Sequence, residues 1–379
     1  MKKIFSLLLI ICLLVVAVGC KKDKQAAVNN IPETEATEPT AETQGEPVTL
    51  SAAYAAVSLP IETKEITADD GTVIFTRSHQ AMRLTLSGQV TADLIITDFM
   101  SRVDNTTATA DTIEETAKAA YPYAHNWIPY STKLRYTPTR IDASVLSLYG
   151  TNITFTGGSH PDYTCLSANY SLISGDPLTL GSILTHEDKT EALQKLLIAK
   201  LDEQAEEKFL QQEYQTVIND RFSGDESFDE KWYFSENGLC FYFAPYEIAP
   251  YSSGVIVAEI PYSELVGIIA DEYFPPEVNI ANGNATVVPF SVETAQNYAQ
   301  ISEFVMDPEG DRFFIEADSC IQNISIAILV EDPGGVSTET LYKAFYLNPG
   351  DAIMVQTKNA DDLVINYKQG DDMISLPII

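Results

Sequence analysis

A serine and a histidine stand side by side in the stretch GGSHPDYTCLSANYSLISGDPLTL, residues 157–180. Ser159 beside His160 invites a reading as an acyl-transfer pair, in which the imidazole takes the hydroxyl proton. A nucleophile elbow needs G-x-S-x-G on a strand-to-helix turn, and Pro161 occupies the place of the second glycine. Adjacent residues also make a poor pair, because the imidazole must approach the hydroxyl from another element. Gly157 and Gly158 permit backbone angles that other residues avoid, so GGSHP is expected to be a tight bend first and a ligand contact second.

Other chemistry-bearing motifs fail on spacing. TADDG, Thr67 to Gly71, has the paired aspartates of a polysaccharide deacetylase metal site. That chemistry needs two histidines four apart, and His79 is followed at that distance by Arg83. HEDKT, from His186, breaks the H-E-x-x-H pattern at its last position. His125 sits in an aromatic loop, YPYAHNW, suited to stacking a sugar. Neither a phosphate loop nor a calcium loop occurs, and four scattered histidines supply no metal site. No cofactor is expected.

The elements that must position these residues follow from hydrophobic period. Residues 57–74 are strand-like with a hairpin turn at Asp70-Gly71. Residues 90–121 are helical, with Leu94, Ile95, Phe99 and Val103 on one side, and stop at Pro122. Two strand-like runs lead into the glycine pair. A long helix then carries Leu193, Leu196, Leu197 and Leu201 in one stripe; Thr185 and Asp188 have the spacing of its capping box. Glu206 and Glu207 are read as its solvated face. Asn237-Gly238 turns a hairpin, Gly254 to Ile260 adds a strand, and a short helix is expected at Tyr262 to Tyr273. From Glu277 onward the texture changes: Ile324, Ile326, Ile328 and Val330 alternate, and Pro-Gly turns recur, as in a small β-sandwich.

The chain begins MKKIFSLLLIICLLVVAVGC, two lysines and an apolar run shorter than the ~20 residues a spanning helix needs. Ala17, Val18 and Gly19 before Cys20 resemble the lipobox of bacterial lipoproteins. Cleavage there removes Lys2 and Lys3, taking the formal charge from -31 to -33. Such acidity repels nucleic acid and anionic headgroups and favours cationic partners. Residues 21–47 lack aromatic residues and are rich in Glu, Thr, Ala and Pro, which marks a disordered tether. Cys165, Cys240 and Cys320 remain after the signal and Cys20, and the bland expectation is buried free thiols, although a Cys165–Cys240 pair is open.

The order SVLSLYGTNITFTGGSHPDY, NYSLISGDPLTLGSIL, an amphipathic helix, then NGLCFYFAPYEIAPYSSGVIVAEIPYSEL resembles the extracellular domain family shared by the anti-sigma factor RsiV and the peptidoglycan deacetylase PdaC. The resemblance spans about residues 55–275 and is most specific at Gly157 to Pro161 and Pro245 to Gly254. Ser159 and Ser171 stand where family members commonly carry alanine and aspartate. It implies an α/β binding module without catalysis, a lysozyme receptor in RsiV and an accessory region in PdaC. A sigma-binding segment and a deacetylase domain are not read here, so those outputs are not carried over.

The expected architecture is therefore α+β. Residues 1–19 are a lipoprotein signal and 20–47 a tether. Residues 48–276 form an RsiV-like module in two subregions, about 48–140 and 141–276, and 277–379 form a β-sandwich-like domain. The expected protein is a non-enzymatic envelope lipoprotein that binds peptidoglycan or a cationic protein such as lysozyme. A wall-glycan enzyme or accessory and a structural scaffold are the alternatives. Ligand-binding candidates are Gly157, Gly158, Ser159, His160, Tyr246 and Tyr251, with Cys20 the lipidated residue. Replacing Cys20 with Ala is expected to abolish incorporation of labelled fatty acid; a Cys20→Ala chain that still takes up label overturns the anchor.

Overall fold

The computed structural model describes residues 54–86, 89–223, 228, 230–276, 283–332, 335–369 and 372–376. Cys20 and the segments expected to be signal and tether lie outside them. Among the described residues no helix is long and apolar enough to cross a membrane.

Strands β1 (Ala55–Ser58), β2 (Glu62–Thr67), β3 (Val73–His79) and β4 (Met82–Thr85) open the fold. The turn between β2 and β3 is the expected one: Gly71 takes φ +85°, and the Asp70 carboxylate accepts the Thr72 N–H at 3.0 Å. Helix α1 (Gln89–Ala120) follows and gives way to a 3₁₀ turn at Tyr121–Tyr123, where Pro122 lacks the N–H to continue it. Strands β5 (Tyr130–Ile141), β6 (Val145–Phe155) and β7 (Asp162–Ser171) complete a five-stranded sheet, β2-β3-β5-β6-β7. The two runs expected before the glycine pair are the single strand β6. Ile95, Phe99 and Val103 of α1 pack on Leu134, Tyr136, Leu146, Leu148 and Tyr170. Each buried side chain of that size contributes about 1.5–3 kcal/mol.

A second core lies around α2 (Leu180–Ile183), α3 (Thr190–Asp202), α4 (Tyr214–Ser223) and the small sheet β10-β9-β8, formed by β8 (Trp232–Phe234), β9 (Gly238–Phe243) and β10 (Ile256–Pro261). Leu193, Leu197 and Leu201 are fully buried there. The cap expected at Thr185 is not made. Its hydroxyl donates to the Gly267 carbonyl at 3.1 Å, and α3 begins after a 3₁₀ turn at Glu187–Lys189. Gly238 is needed for packing: a Cβ there would stand 2.1 Å from the Ile260 carbonyl oxygen. In place of a helix at Tyr262 to Tyr273 there are two 3₁₀ turns, Tyr262–Glu264 and Asp271–Tyr273. Buried polar bonds tie this sheet to the larger one: Phe234 N–H donates to Ser147 Oγ at 2.8 Å, and Asn169 Nδ2 to the Trp232 carbonyl at 3.0 Å. Cys165 and Cys240 are free and buried, and burial pushes their thiols up to about 11 and about 12.

The remaining elements are β11 (Ala285–Pro289), α5 (Val292–Ala295), β12 (Gln300–Val305), β13 (Asp311–Ala317), β14 (Ile321–Asp332), β15 (Gly335–Leu347), β16 (Asp351–Thr357), β17 (Leu363–Gln369) and β18 (Asp372–Leu376). Two sheets, β11-β13-β16-β12 and β18-β17-β14-β15-β1-β4, share one core. Phe304, Ile315 and Val355 meet Ile324, Ile326, Tyr342 and Ile365 in it. Two strands of the larger sheet come from the start of the chain, with Ala55 opposite Ala344 and Val57 opposite Tyr342. The backbone ladder thus crosses the boundary expected at residue 277, and Leu50–Ile379 forms one compact unit.

Arg140, at the end of β5, is 1% exposed. Its Nε donates to Asp142 at 2.6 Å, and one terminal nitrogen donates to the Tyr262 hydroxyl at 2.7 Å and the Tyr273 carbonyl at 2.6 Å. Asp142 in turn accepts the N–H groups of Ser144 and Val145. Burial lowers the guanidinium pKa, but Tyr262 and Asp142 outweigh it and hold the net value above the usual one. Removing one partner of such a pair leaves a buried charge uncompensated, so Arg140→Met is expected to cost about 3–5 kcal/mol. Urea unfolding of the two chains checks this; a loss under about 1 kcal/mol would make the pair marginal.

Candidate functional site

The bend at GGSHP joins β6 to β7 at one end of the five-stranded sheet. Gly157 and Gly158 take φ +88° and +116°, backbone that a side chain strains to adopt. Both glycines and Ser159 are exposed, while His160 turns inward and is half-buried. No hydrogen bond joins Ser159 to His160 among the described residues. The His160 ring instead lies over Tyr251, with centroids 3.9 Å apart and planes 24° apart.

The second loop, Pro245 to Gly254, rises from the end of β9. Glu247 anchors it: one carboxylate oxygen accepts the Ala244 N–H at 3.0 Å, and the carboxylate pairs with Lys231 at 2.8 Å and Arg221 at 3.4 Å. Ile248 and Ala249 are buried, and the Ile248 carbonyl accepts the Gln211 N–H at 2.9 Å. A 3₁₀ turn, Tyr251–Ser253, is held by Ser253 Oγ donating to the Lys208 carbonyl at 2.8 Å, and it stops at Gly254, φ +67°. With Glu247 fixed inward, Tyr246 is forced outward, 58% exposed and at φ +73°. A non-glycine residue held there costs about 1–3 kcal/mol and persists only where its surroundings dictate it.

The two loops meet ring to ring. The Tyr246 hydroxyl lies 3.1 Å from His160 Nε2, and His160 Nδ1 lies 3.1 Å from the Pro161 carbonyl oxygen. A carbonyl only accepts, so Nδ1 carries a proton, and in the neutral ring Nε2 accepts from Tyr246, with both ring nitrogens occupied. Tyr246 is 5.6 Å from Tyr251, and Tyr163 of β7 closes the group edge-on at 6.2 Å. Partial burial, then the neighbouring Tyr246 and Asp162, raise the Tyr251 hydroxyl pKa. The result is a ledge of four rings, each contact worth about 0.5–1.5 kcal/mol beyond area burial.

Sequence reasoning named His160, Tyr246 and Tyr251, and the structure brings them together across 86 residues. Tyr163 was missed; its signal was an aromatic residue two positions past Pro161, at the start of a strand. Among the described residues no ring contact joins His125 or His186 to the ledge, and His79 approaches Glu62 at 3.5 Å. No group of three metal-ligating side chains gathers among the described residues.

Residues 182–263 match the model of DUF3298, a family described as a protein of unknown function. The matched segment holds α3, α4, the small sheet, Tyr246 and Tyr251; the glycine bend lies before it. Two solved DUF3298 family structures are similar. One from Bacteroides fragilis NCTC 9343 is 20% identical, covers 56% of this chain and 94% of its own, and has a TM-score of 0.41. One from Pseudomonas aeruginosa PAO1 is 19% identical, covers 58% and 99%, and has a TM-score of 0.34. No curated protein matches the chain.

An alanine at Gly157 or Gly158 must adopt a left-handed angle, so each substitution is expected to cost more than the ~1 kcal/mol of an unstrained change. Ser159→Ala is expected to be nearly silent. Thermal melts of the three variants decide it: unshifted glycine variants would make the bend tolerant and the expectation wrong.

Proposed function

We propose that the chain is a non-enzymatic, lipid-anchored binding module of the cell envelope, and that the ledge of His160, Tyr163, Tyr246 and Tyr251 engages a cationic, envelope-active protein of the lysozyme type. The observation that carries this reading is the presentation of Tyr246. An exposed ring is kept in a strained backbone by a loop whose neighbours are anchored by an ion-paired carboxylate. Tyrosine faces attract the ammonium and guanidinium groups of a basic partner, by about 0.5–1 kcal/mol at exposed sites and more once desolvated. The formal charge of -31 draws such a partner in from a distance. The resemblance to the RsiV and PdaC domain family supports the same reading, and the DUF3298 match takes in Tyr246 and Tyr251.

A second reading places a wall-glycan sugar on the same rings, as an accessory to glycan chemistry. The flat, partly open stack of His160 on Tyr251 favours it.

Calorimetry of the chain from Val48 onward separates the two. Binding of a basic lysozyme is expected to weaken but persist as the screening length falls from ~30 Å at 0.01 M salt to ~8 Å at physiological strength. Tyr246→Asn relieves left-handed strain while losing the ring's contacts with His160 and Tyr251, so this variant should stay folded with a melt near the parent's, yet bind about tenfold more weakly, a loss of about 1.4 kcal/mol. Equal binding of unrelated basic proteins, or full affinity in Tyr246→Asn, would sink the lysozyme reading. Saturable binding of peptidoglycan fragments in its place would establish the second.

A further inference from the structure

The face of β5 and β6 turned away from α1 is not fully covered. Lys133, Arg135, Thr137 and Thr139 alternate along β5, opposite Ile153, Thr151 and Tyr149 of β6, and they floor a cleft of about 760 Å³. One wall is Tyr233, Val255 and Val257 of the small-sheet region. The other is the β14–β15 hairpin, where Ile328 and Val330 line the cleft beyond a bulge at Ile326/Ala327. The volume falls within the range of small-molecule sites, ~300–1,000 Å³, and the lining sets apolar side chains such as Tyr233, Val257 and Ile328 among polar and charged ones.

Its charges are unlike those of the rest of the protein. The chain has 54 acidic and 23 basic residues, yet three cations and two carboxylates line this cleft. Each carboxylate is ion-paired, Glu339 through Oε2 with Arg135 and Glu236 with Lys343 at 2.9 Å, while Glu339 Oε1 has no hydrogen-bond partner among the described residues. The Lys133 ammonium is left with no ion pair and no hydrogen bond among the described residues, although the residue is half-buried. Burial, then the adjacent Arg135, lower its ammonium pKa despite Glu339 nearby. A cation without a partner in a partly desolvated cleft is stabilised by an anion that enters it.

We propose that this cleft binds a small anionic ligand with an apolar body, an alkyl or aryl carboxylate, whose charged end pairs with Lys133 while its body lies along Ile153, Tyr149, Tyr233, Val257 and Ile328. The site is separate from the aromatic ledge; Tyr163 alone borders both. The proposal does not depend on a cationic protein partner, since a chain that ignores lysozyme can still take a carboxylate here.

Titration of the full chain with octanoate and with 3-phenylpropionate, followed calorimetrically, tests it, with octylammonium as the charge-reversed probe. Saturable binding of at least one carboxylate is expected and none of octylammonium. Lys133→Met keeps the apolar stem and should weaken binding roughly tenfold or more, whereas Lys133→Arg should stay within about threefold. Thr338→Trp, at an exposed lining position, should block entry and guards against a misfolded Lys133 variant. Octylammonium binding as well as octanoate, carboxylate binding unchanged in a folded Lys133→Met chain, or no saturable binding at millimolar concentration would overturn the proposal. Preference for octanoate points to an acyl-chain source, and preference for 3-phenylpropionate to an aromatic one.

Discussion

The buried guanidinium of Arg140 is the constraint on which the two halves of the α/β region turn. It leaves the five-stranded sheet at the end of β5 and reaches Tyr262 and the Tyr273 carbonyl, both beyond β10. Its flat faces lie within 5.2 Å of the Phe234 ring centroid and 5.4 Å of that of Tyr262. An unpaired charge at this depth would cost several kcal/mol, so the geometry of all partners is tightly prescribed. Lysine would not serve: its ammonium is a single point, whereas this site uses a fork of donors and two aromatic stacking faces. Ser147 and Asn169 repeat the joint a few residues away, with neutral bonds to the β8 backbone. Together they set β8 to β10 against β6 and β7. That fixes where the two loops emerge, because one is the β6–β7 turn and the other leaves β9.

The contrast between the two loops explains what was legible beforehand. Gly157-Gly158 declares a bend through local chemistry, and the structure gives both residues left-handed angles. Helix α1 was readable for the same reason: Ile95, Phe99 and Val103 repeat at its own period. The meeting of His160 with Tyr246 has no local signal, since nothing near residue 160 specifies what packs there from 86 residues away. Strand β5 was invisible for another reason. Its buried face is Thr132, Leu134, Tyr136, Pro138 and Arg140, so the apolar alternation against Lys133, Arg135 and Thr137 shrinks to Leu134 and Tyr136, too short a run to mark a strand. Thr185 and Asp188 misled because a capping spacing is only a geometric opportunity; the Gly267 carbonyl took the hydroxyl instead.

The N-terminal strands show the same limit at larger scale. A change of texture at residue 277 marks where turn punctuation and alternation begin, but not which sheet edge stays open. Ala55 and Ala56 are fully buried by β15 and β4, an edge closed by chain from the other end of the sequence. This moves the edge from the long β15 to the four-residue β4, a shorter template for intermolecular pairing. It also makes the sandwich and the α/β region interdependent, because β4 leads directly toward α1.

On the proposed reading, charge and shape divide the work of recognition at the ledge. A field from some thirty excess negative charges is long-ranged and indifferent to position, so it raises encounter rates for any basic protein without selecting among them. Selection needs groups whose placement is costly to change. Glu247 satisfies that requirement: its carboxylate is engaged by Lys231, Arg221 and the Ala244 amide, so Tyr246 has nowhere to relax. His160 satisfies it from the opposite loop, with both nitrogens bonded and its ring face on Tyr251. A ledge already ordered before contact loses little side-chain entropy on binding, which is the larger share of what an exposed tyrosine would otherwise forfeit. The strain at Tyr246 and the ion pairs at Glu247 are thus parts of one device: the first aims a ring at solvent, and the second keeps it aimed.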